Sequence, residues 1–172
     1  MQNVRNARLR SDHDRLQALV KGSEGSITID SQKGTPPQTY VLSYKCKGIE
    51  RLNGDKPVYR NLHRVQIQFG ASYPAQQPTV TMLTPIFHPH VFTHNAVCLG
   101  RRWTPSEYLD NLVLRIGSII QYEPQYIDFA SPANSTAASW ARSHMNMFPI
   151  DRCTFKGSQS SNEGGIQWTN LT

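Results

Sequence analysis

Three features of the sequence predict an α+β fold: an opening helical stripe, four later stretches that alternate with period two, and one broad apolar helix after them. Leu9, Leu16, Leu19 and Val20 recur at helical spacing within residues 4–20, with His13 in the same stripe and Arg8, Asp14 and Arg15 elsewhere on the circumference. That is the pattern of a helix that buries one face. From Ser26 the period drops to two. Ile27 and Ile29 alternate, then Tyr40, Leu42, Tyr44 and Cys46 share one face of a longer strand, Val65, Ile67 and Phe69 a third, and Val80 and Met82 a fourth. Asn53-Gly54 and Pro57 mark a turn-rich connection, and Tyr73-Pro74 with Pro78 confines the last link. Four sequential strands with short connections imply an antiparallel meander.

Regular structure resumes at Thr104-Pro105-Ser106-Glu107, where Thr104 suits an N-cap, Pro105 the first helical position and Glu107 the return arm of a capping box. The sequence predicts a helix starting there. Leu109, Leu112, Val113, Ile116, Ile119 and Ile120 give it a broad apolar face for the sheet, and Pro124 ends it. A shorter helix is expected between Asn134 and Met145, carrying Ala137, Ala138, Trp140 and Ala141. The expected architecture is thus a four-stranded antiparallel meander flanked by an N-terminal helix, a crossover helix and a shorter C-terminal helix. Residues 1–148 are expected to form this domain. Residues 149–172 read as a flexible tail rich in Gly, Ser and Asn, with one late apolar patch at Ile166 and Trp168.

Composition narrows the class. The chain has 172 residues, which at ~100–200 residues per domain is one domain with or without a tail. Its 18 Lys and Arg against 12 Asp and Glu give a net charge of +6, yet the only adjacent basic pair is Arg101-Arg102. Dispersed charge of this kind reads as solvated surface, so no nucleic-acid partner is expected. The three cysteines, Cys46, Cys98 and Cys153, are odd in number and far apart, which argues for a reducing compartment and against a disulfide framework. No signal-like or membrane-length apolar run is present, so the cytoplasm is the default expectation and no membrane partner is expected.

Residues 85–103 carry no periodic signal but hold three His, one Cys and one Trp. A long irregular stretch inside a compact domain is usually functional. His88, His90, His94 and Cys98 invite three readings: a zinc site, a Cys–His hydrolase dyad, or a packed loop with Cys98 as a small apolar side chain between Val97 and Leu99. Pro89 stiffens the first His pair in extended geometry, which weakens the metal reading, and spacing alone leaves the three open.

The segment YPAQQPTVTMLTPIFHPHVFTHNAVCL, Tyr73 to Leu99, resembles the central signature of ubiquitin-conjugating enzymes. That signature is a Tyr-Pro, a nearby Pro, a strand, Ile-aromatic-His-Pro-Asn, and then the active Cys followed by Leu. One element departs: His90 stands where the family has Asn. Trp103-Thr104-Pro105 is similar to the family's Trp-Ser-Pro, at a shorter step from Cys98, and Glu123-Pro124 with Asp128 resembles its acidic loop. The resemblance spans residues 4–145. It implies a carrier that accepts a ubiquitin-like modifier from an activating enzyme as a thioester on Cys98 and passes it to an amine, as a rule a target lysine, without a cofactor or metal. By the same resemblance Asp128 orients the incoming amine. His90 takes the place that supports the active-site loop and donates to the oxyanion, more strongly if protonated. His88 becomes a structural residue of the motif, Trp103 a core residue, and the basic first helix, through Arg5 and Arg8, the docking face for the activating enzyme. Arg101 and Arg102 then follow the nucleophile, where they would lower its pKa or meet an acidic partner. The apolar ligase anchor of the family is replaced by Ala75, which leaves the need for a ligase open. These departures are expected of a divergent, bacterial member encoded beside its own partners. The rival reading is a non-catalytic variant of the same fold that binds ubiquitin-like proteins.

Overall fold

A computed structural model describes residues 2–100, 103–151, 153 and 155. The chain runs through α1 (Gln2–Gly22), β1 (Ile27–Gly34), β2 (Pro37–Tyr44), β3 (Gly48–Asn53), β4 (Lys56–Arg60), β5 (His63–Gln68), β6 (Thr79–Met82), α2 (Leu109–Ile120) and α3 (Ser135–Ser143). The four strands expected from the alternation form one antiparallel sheet in the order β1-β2-β5-β6. Its inner face presents Ile27, Tyr40, Leu42, Tyr44, Val65, Ile67, Val80 and Met82, all buried. The six apolar residues of α2 named above are buried too, each contributing ~1.5–3 kcal/mol of transfer free energy. The Tyr44 hydroxyl donates to the Val113 carbonyl at 3.1 Å, which ties helix to sheet and satisfies a buried phenol.

The meander is interrupted by a hairpin. Residues 48–60, expected only as a turn-rich connection, pair as β3 and β4 around Gly54-Asp55, with Gly54 at φ +61°. Asn53-Gly54 is the usual hairpin signal. The alternation that should accompany it is masked by charge: Glu50 on β3 accepts from Arg60 on β4 at 2.8 Å. The hairpin, α3 and the turn after α2 share a second small core of Ile49, Tyr122, Trp140 and Ala141.

The expected capping box at Thr104 does not form. Residues 104–107 close a turn through Glu107 N–H to Thr104 O at 2.9 Å, and α2 begins only at Leu109, capped by no side chain of its own N-cap residue Tyr108. The Leu109 N–H instead donates to Asp12 Oδ1 at 3.0 Å, a cap supplied by α1. Asp12 Oδ2 also accepts from the Tyr73 hydroxyl at 2.5 Å and from Arg8 Nε at 2.9 Å. Arg8 reaches on to the carbonyls of Pro105 and Glu107. α3, by contrast, starts as expected: Asn134 caps it by accepting from Ala137 N–H at 3.0 Å.

Core packing continues past residue 148, where the flexible tail was expected to begin. Phe155 is buried, meets Tyr44 edge-on at 5.7 Å, and lies so close over Gly117 that a Cβ there would collide with its ring. Gln121 and Cys153 exchange side-chain-to-backbone hydrogen bonds that hold this segment on α2. Ile166 and Trp168 lie outside the described residues.

Candidate active site

The irregular stretch is pinned by its own backbone. Val91 and Val97 form an isolated bridge, and Cys98 N–H donates to His90 O at 2.7 Å, so the thiol and the His90 backbone are fixed together. His90 N–H donates to His88 Nδ1 at 2.9 Å. His90 Nε2 accepts from the Asp128 N–H at 2.7 Å, joining this loop to the segment after α2. Asn134 N–H to Pro89 O at 3.0 Å adds a second tie between the same two segments. Asp128 is exposed, and its Oδ1 accepts from Ala130 N–H at 2.8 Å. Cys98, His90 and Asp128, the three expected site residues, thereby border one cleft of about 720 Å³ together with Arg115, Ile119 and Tyr126.

The tautomers follow from the donors. A ring nitrogen that accepts from a backbone N–H carries no proton, so His90 is neutral with its hydrogen on Nδ1. Burial lowers its pKa, against an opposing pull from Asp128. The protonated, stronger-donating His90 considered from sequence is therefore the wrong species: protonating Nε2 breaks the bond to Asp128. His88 is fully buried and held neutral, its Nδ1 used by His90 and its Nε2 without a partner, edge-on to the Tyr122 ring at 4.4 Å. It is the structural residue expected. Trp103 is half-buried against the core, with Nε1 donating to Pro74 O at 2.9 Å.

Of the three cysteines, all free, Cys46 is buried and Cys153 half-buried with its sulfur turned to the Lys45 carbonyl; burial raises both thiols. Only Cys98 among them borders the cleft. His94 is exposed and stacks on Phe92 at 5.2 Å. Among the described residues no group of three or more His, Cys, Asp or Glu side chains converges as metal ligands would. Arg101 and Arg102 lie outside the described residues.

The two arginines of α1 expected to face an activating enzyme both have partners within the chain. Arg8 is not a free docking charge, since Asp12, two carbonyls and the rings of Tyr73 and Tyr108 occupy it. Arg5 is tied to Gly70 O at 2.9 Å and to Gln38 Oε1 at 3.0 Å. Arg115 was not anticipated as a cleft residue. Its signal was present: one cation within the apolar stripe Leu112, Ile116, Ile119.

An antiparallel meander crossed by one helix, with a backbone-pinned loop that brings one thiol to a cleft, is the ubiquitin-conjugating fold. The solved structure of the ubiquitin conjugating enzyme E2 UbcA1 from Agrocybe aegerita shares it, with a TM-score of 0.51 at 21% identity over 68% of this chain and 82% of that one. A family model described as ubiquitin-conjugating enzyme matches residues 46–151, and the chain belongs to that family. The "Ubiquitin-conjugating enzyme E2 2" proteins of Candida glabrata and Saccharomyces cerevisiae are each 31% identical over 97 residues, covering 55% of this chain and 56% and 54% of theirs. That of Mycosarcoma maydis is 32% identical over 97 residues and covered to 50%. The chain spans about half the length of the curated relatives it matches. These relatives are fungal and lend no support to a bacterial source. Among the described residues no helix is long and apolar enough to cross a membrane.

Proposed function

We propose that this protein is a carrier in a ubiquitin-like conjugation pathway. It accepts a modifier from an activating enzyme as a thioester on Cys98 and transfers it to an amine, normally a target lysine. The observation that carries the reading is that Cys98, alone among the three free thiols, borders the cleft in which its backbone is fixed. Loading exchanges one thioester for another. The Cys98 thiolate attacks the modifier's terminal carbonyl, the new C–S bond forms, and the donor's C–S bond breaks with its sulfur leaving as thiolate. In transfer the amine nitrogen attacks the same carbonyl, a C–N bond forms, Cys98 leaves as thiolate, and the amine gives up a proton. The exposed Asp128 carboxylate on the cleft wall orients the amine and receives that proton. His90 positions the loop that carries Asp128, and its Nδ1–H is the donor left for the oxyanion. This chemistry needs no cofactor in the carrier. Three free thiols agree with a cytoplasmic setting.

The test is loading with ubiquitin or a ubiquitin-like modifier, its activating enzyme and ATP. The expected product is a reductant-sensitive adduct that is lost in Cys98→Ala and becomes a reductant-resistant ester, or is lost, in Cys98→Ser. An undiminished adduct in Cys98→Ala overturns the assignment. Binding of the modifier with no adduct on wild type favours the non-catalytic variant of the fold.

A further inference from the structure

We propose that Cys46 and Cys153 are a redox-sensitive pair, which a thiol oxidant joins in a reversible disulfide that staples the segment after residue 148 to the chain just beyond β2. Both thiols are free and share one apolar cluster, Cys46 inside it and Cys153 packed against it. Four hydrogen bonds hold the Cys153 segment in place. Lys47 N–H donates to Asp151 Oδ2 at 3.1 Å, and the Cys153 thiol donates to the Lys45 carbonyl at 3.6 Å, so the segment touches the residues on both sides of Cys46. Cys153 N–H donates to Gln121 Oε1 at 3.1 Å, and Gln121 Nε2 returns a bond to the Cys153 carbonyl at 3.4 Å. The Cys153 sulfur thus rests on the peptide group that leads into Cys46. A charge on Cys153 is close enough to disfavour ionisation of Cys46.

Unequal exposure sets the order of the chemistry. Cys46 is 1% exposed, whereas Cys153 is half-buried and is the thiol that an oxidant in solution reaches. With a low-molecular-weight disulfide as oxidant, the Cys153 thiolate attacks one of its sulfurs, forming a mixed disulfide and releasing one small thiolate. Cys46 then gives its proton to solvent and attacks the Cys153 sulfur; the protein S–S bond forms and the second small thiolate leaves. In sum, two protein thiols are oxidised and one small disulfide is reduced to two thiols. Burial slows the second step by keeping Cys46 protonated, and adjacency offsets this because attack within one molecule needs no encounter. Cys98 has no such partner, since neither other cysteine borders its cleft, so the same oxidant leaves it as a mixed disulfide. The new bond closes the long loop between residues 46 and 153, which constrains the unfolded chain, and it holds Phe155 in its notch over Gly117.

The experiment incubates the full chain with oxidised glutathione, blocks the remaining thiols with a maleimide in denaturant, and maps peptides without reduction. The expected product is one peptide pair linked through Cys46 and Cys153, with glutathione on Cys98, and dithiothreitol should reverse both. The oxidised protein should melt ~5–10 °C above the reduced one. Cys153→Ser, in which Cys98 still reacts, should show neither the link nor the rise, which separates the staple from the modification of Cys98. Cys46→Ser should stop at a mixed disulfide on Cys153; if that buried substitution does not fold, wild type and Cys153→Ser decide by themselves. Glutathione retained on wild-type Cys153, a Cys46 that takes the maleimide after oxidation, a link through Cys98, or a Cys46–Cys153 link with no rise in melting overturns the inference.

Discussion

His90, which stands where the family motif has Asn, is defined by its contacts. Its Nε2 is spent on the Asp128 N–H, so the ring acts first as a strut between the Cys98 loop and the segment after α2. An amide also offers an acceptor there; a methyl does not. In single-turnover discharge of preloaded thioester to free lysine, His90→Asn should therefore keep most of the wild-type rate and His90→Ala lose ~10-fold, less than the ~10²–10³ of a buried oxyanion donor. Loading should change little in either. The sign of the pH effect separates strut from cation. With the His90 pKa lowered, the neutral ring is the working species and discharge should rise steadily with pH as the amine deprotonates. A discharge rate that falls as pH rises through ~6–7 would restore the imidazolium as donor.

At the scale of elements, the joint between α1 and α2 depends on a carboxylate that no local pattern reveals. Asp12 has an ordinary place in a polar helix, and its role follows only from the contact between helices, where it caps Leu109 and receives Tyr73 and Arg8. Removing it strands two donors and a half-buried cation, so Asp12→Ala should cost ~3–5 kcal/mol in urea unfolding. Asp12→Asn keeps an acceptor for the cap and should cost less. Equal costs would mean that the charge, not the cap, holds the joint. The same contact explains why Arg8→Glu should lower the unfolding midpoint, which disqualifies it as a test of docking. What was legible in the sequence is what periodicity encodes: α1, the four sheet strands, the apolar face of α2 and the stretch that holds α3. The start of α2 was misread because Arg8 and Arg115 draw the backbone and side chain of the apparent capping box into tertiary contacts. The β3–β4 hairpin was missed because ion pairs replace its apolar alternation. Cys98, His90 and Asp128 were legible through the family signature. Arg115 showed in the sequence only as a cation within the apolar stripe of α2, and its place at the cleft depends on the helix packing.

For the whole molecule, three buried histidines tie folding to pH. Burial holds His63 down to about 4, and His88 and His90 are lowered as well. In the unfolded chain each titrates near ~6.5, so between that value and the folded pKa the unfolded state binds more protons. Stability is complete above pH ~6.5 and is lost as pH falls toward 4, by up to ~3 kcal/mol from His63 alone. Urea unfolding at a series of pH values should show this slope, and a histidine NMR titration should leave the His63 ring neutral at pH 5.5. A flat stability profile between pH 7 and pH 5 would contradict these burials.

The proposed carrier function requires that the modifier be held on one thiol, Cys98. Alkylation footprinting tests it most directly: the protein is loaded to completion, treated with a thiol alkylator, released with reductant and mapped by mass spectrometry. Loading should protect Cys98 alone, while Cys46 and Cys153 react no differently from the unloaded protein. Full alkylation of Cys98 in a sample that carries the modifier would contradict it.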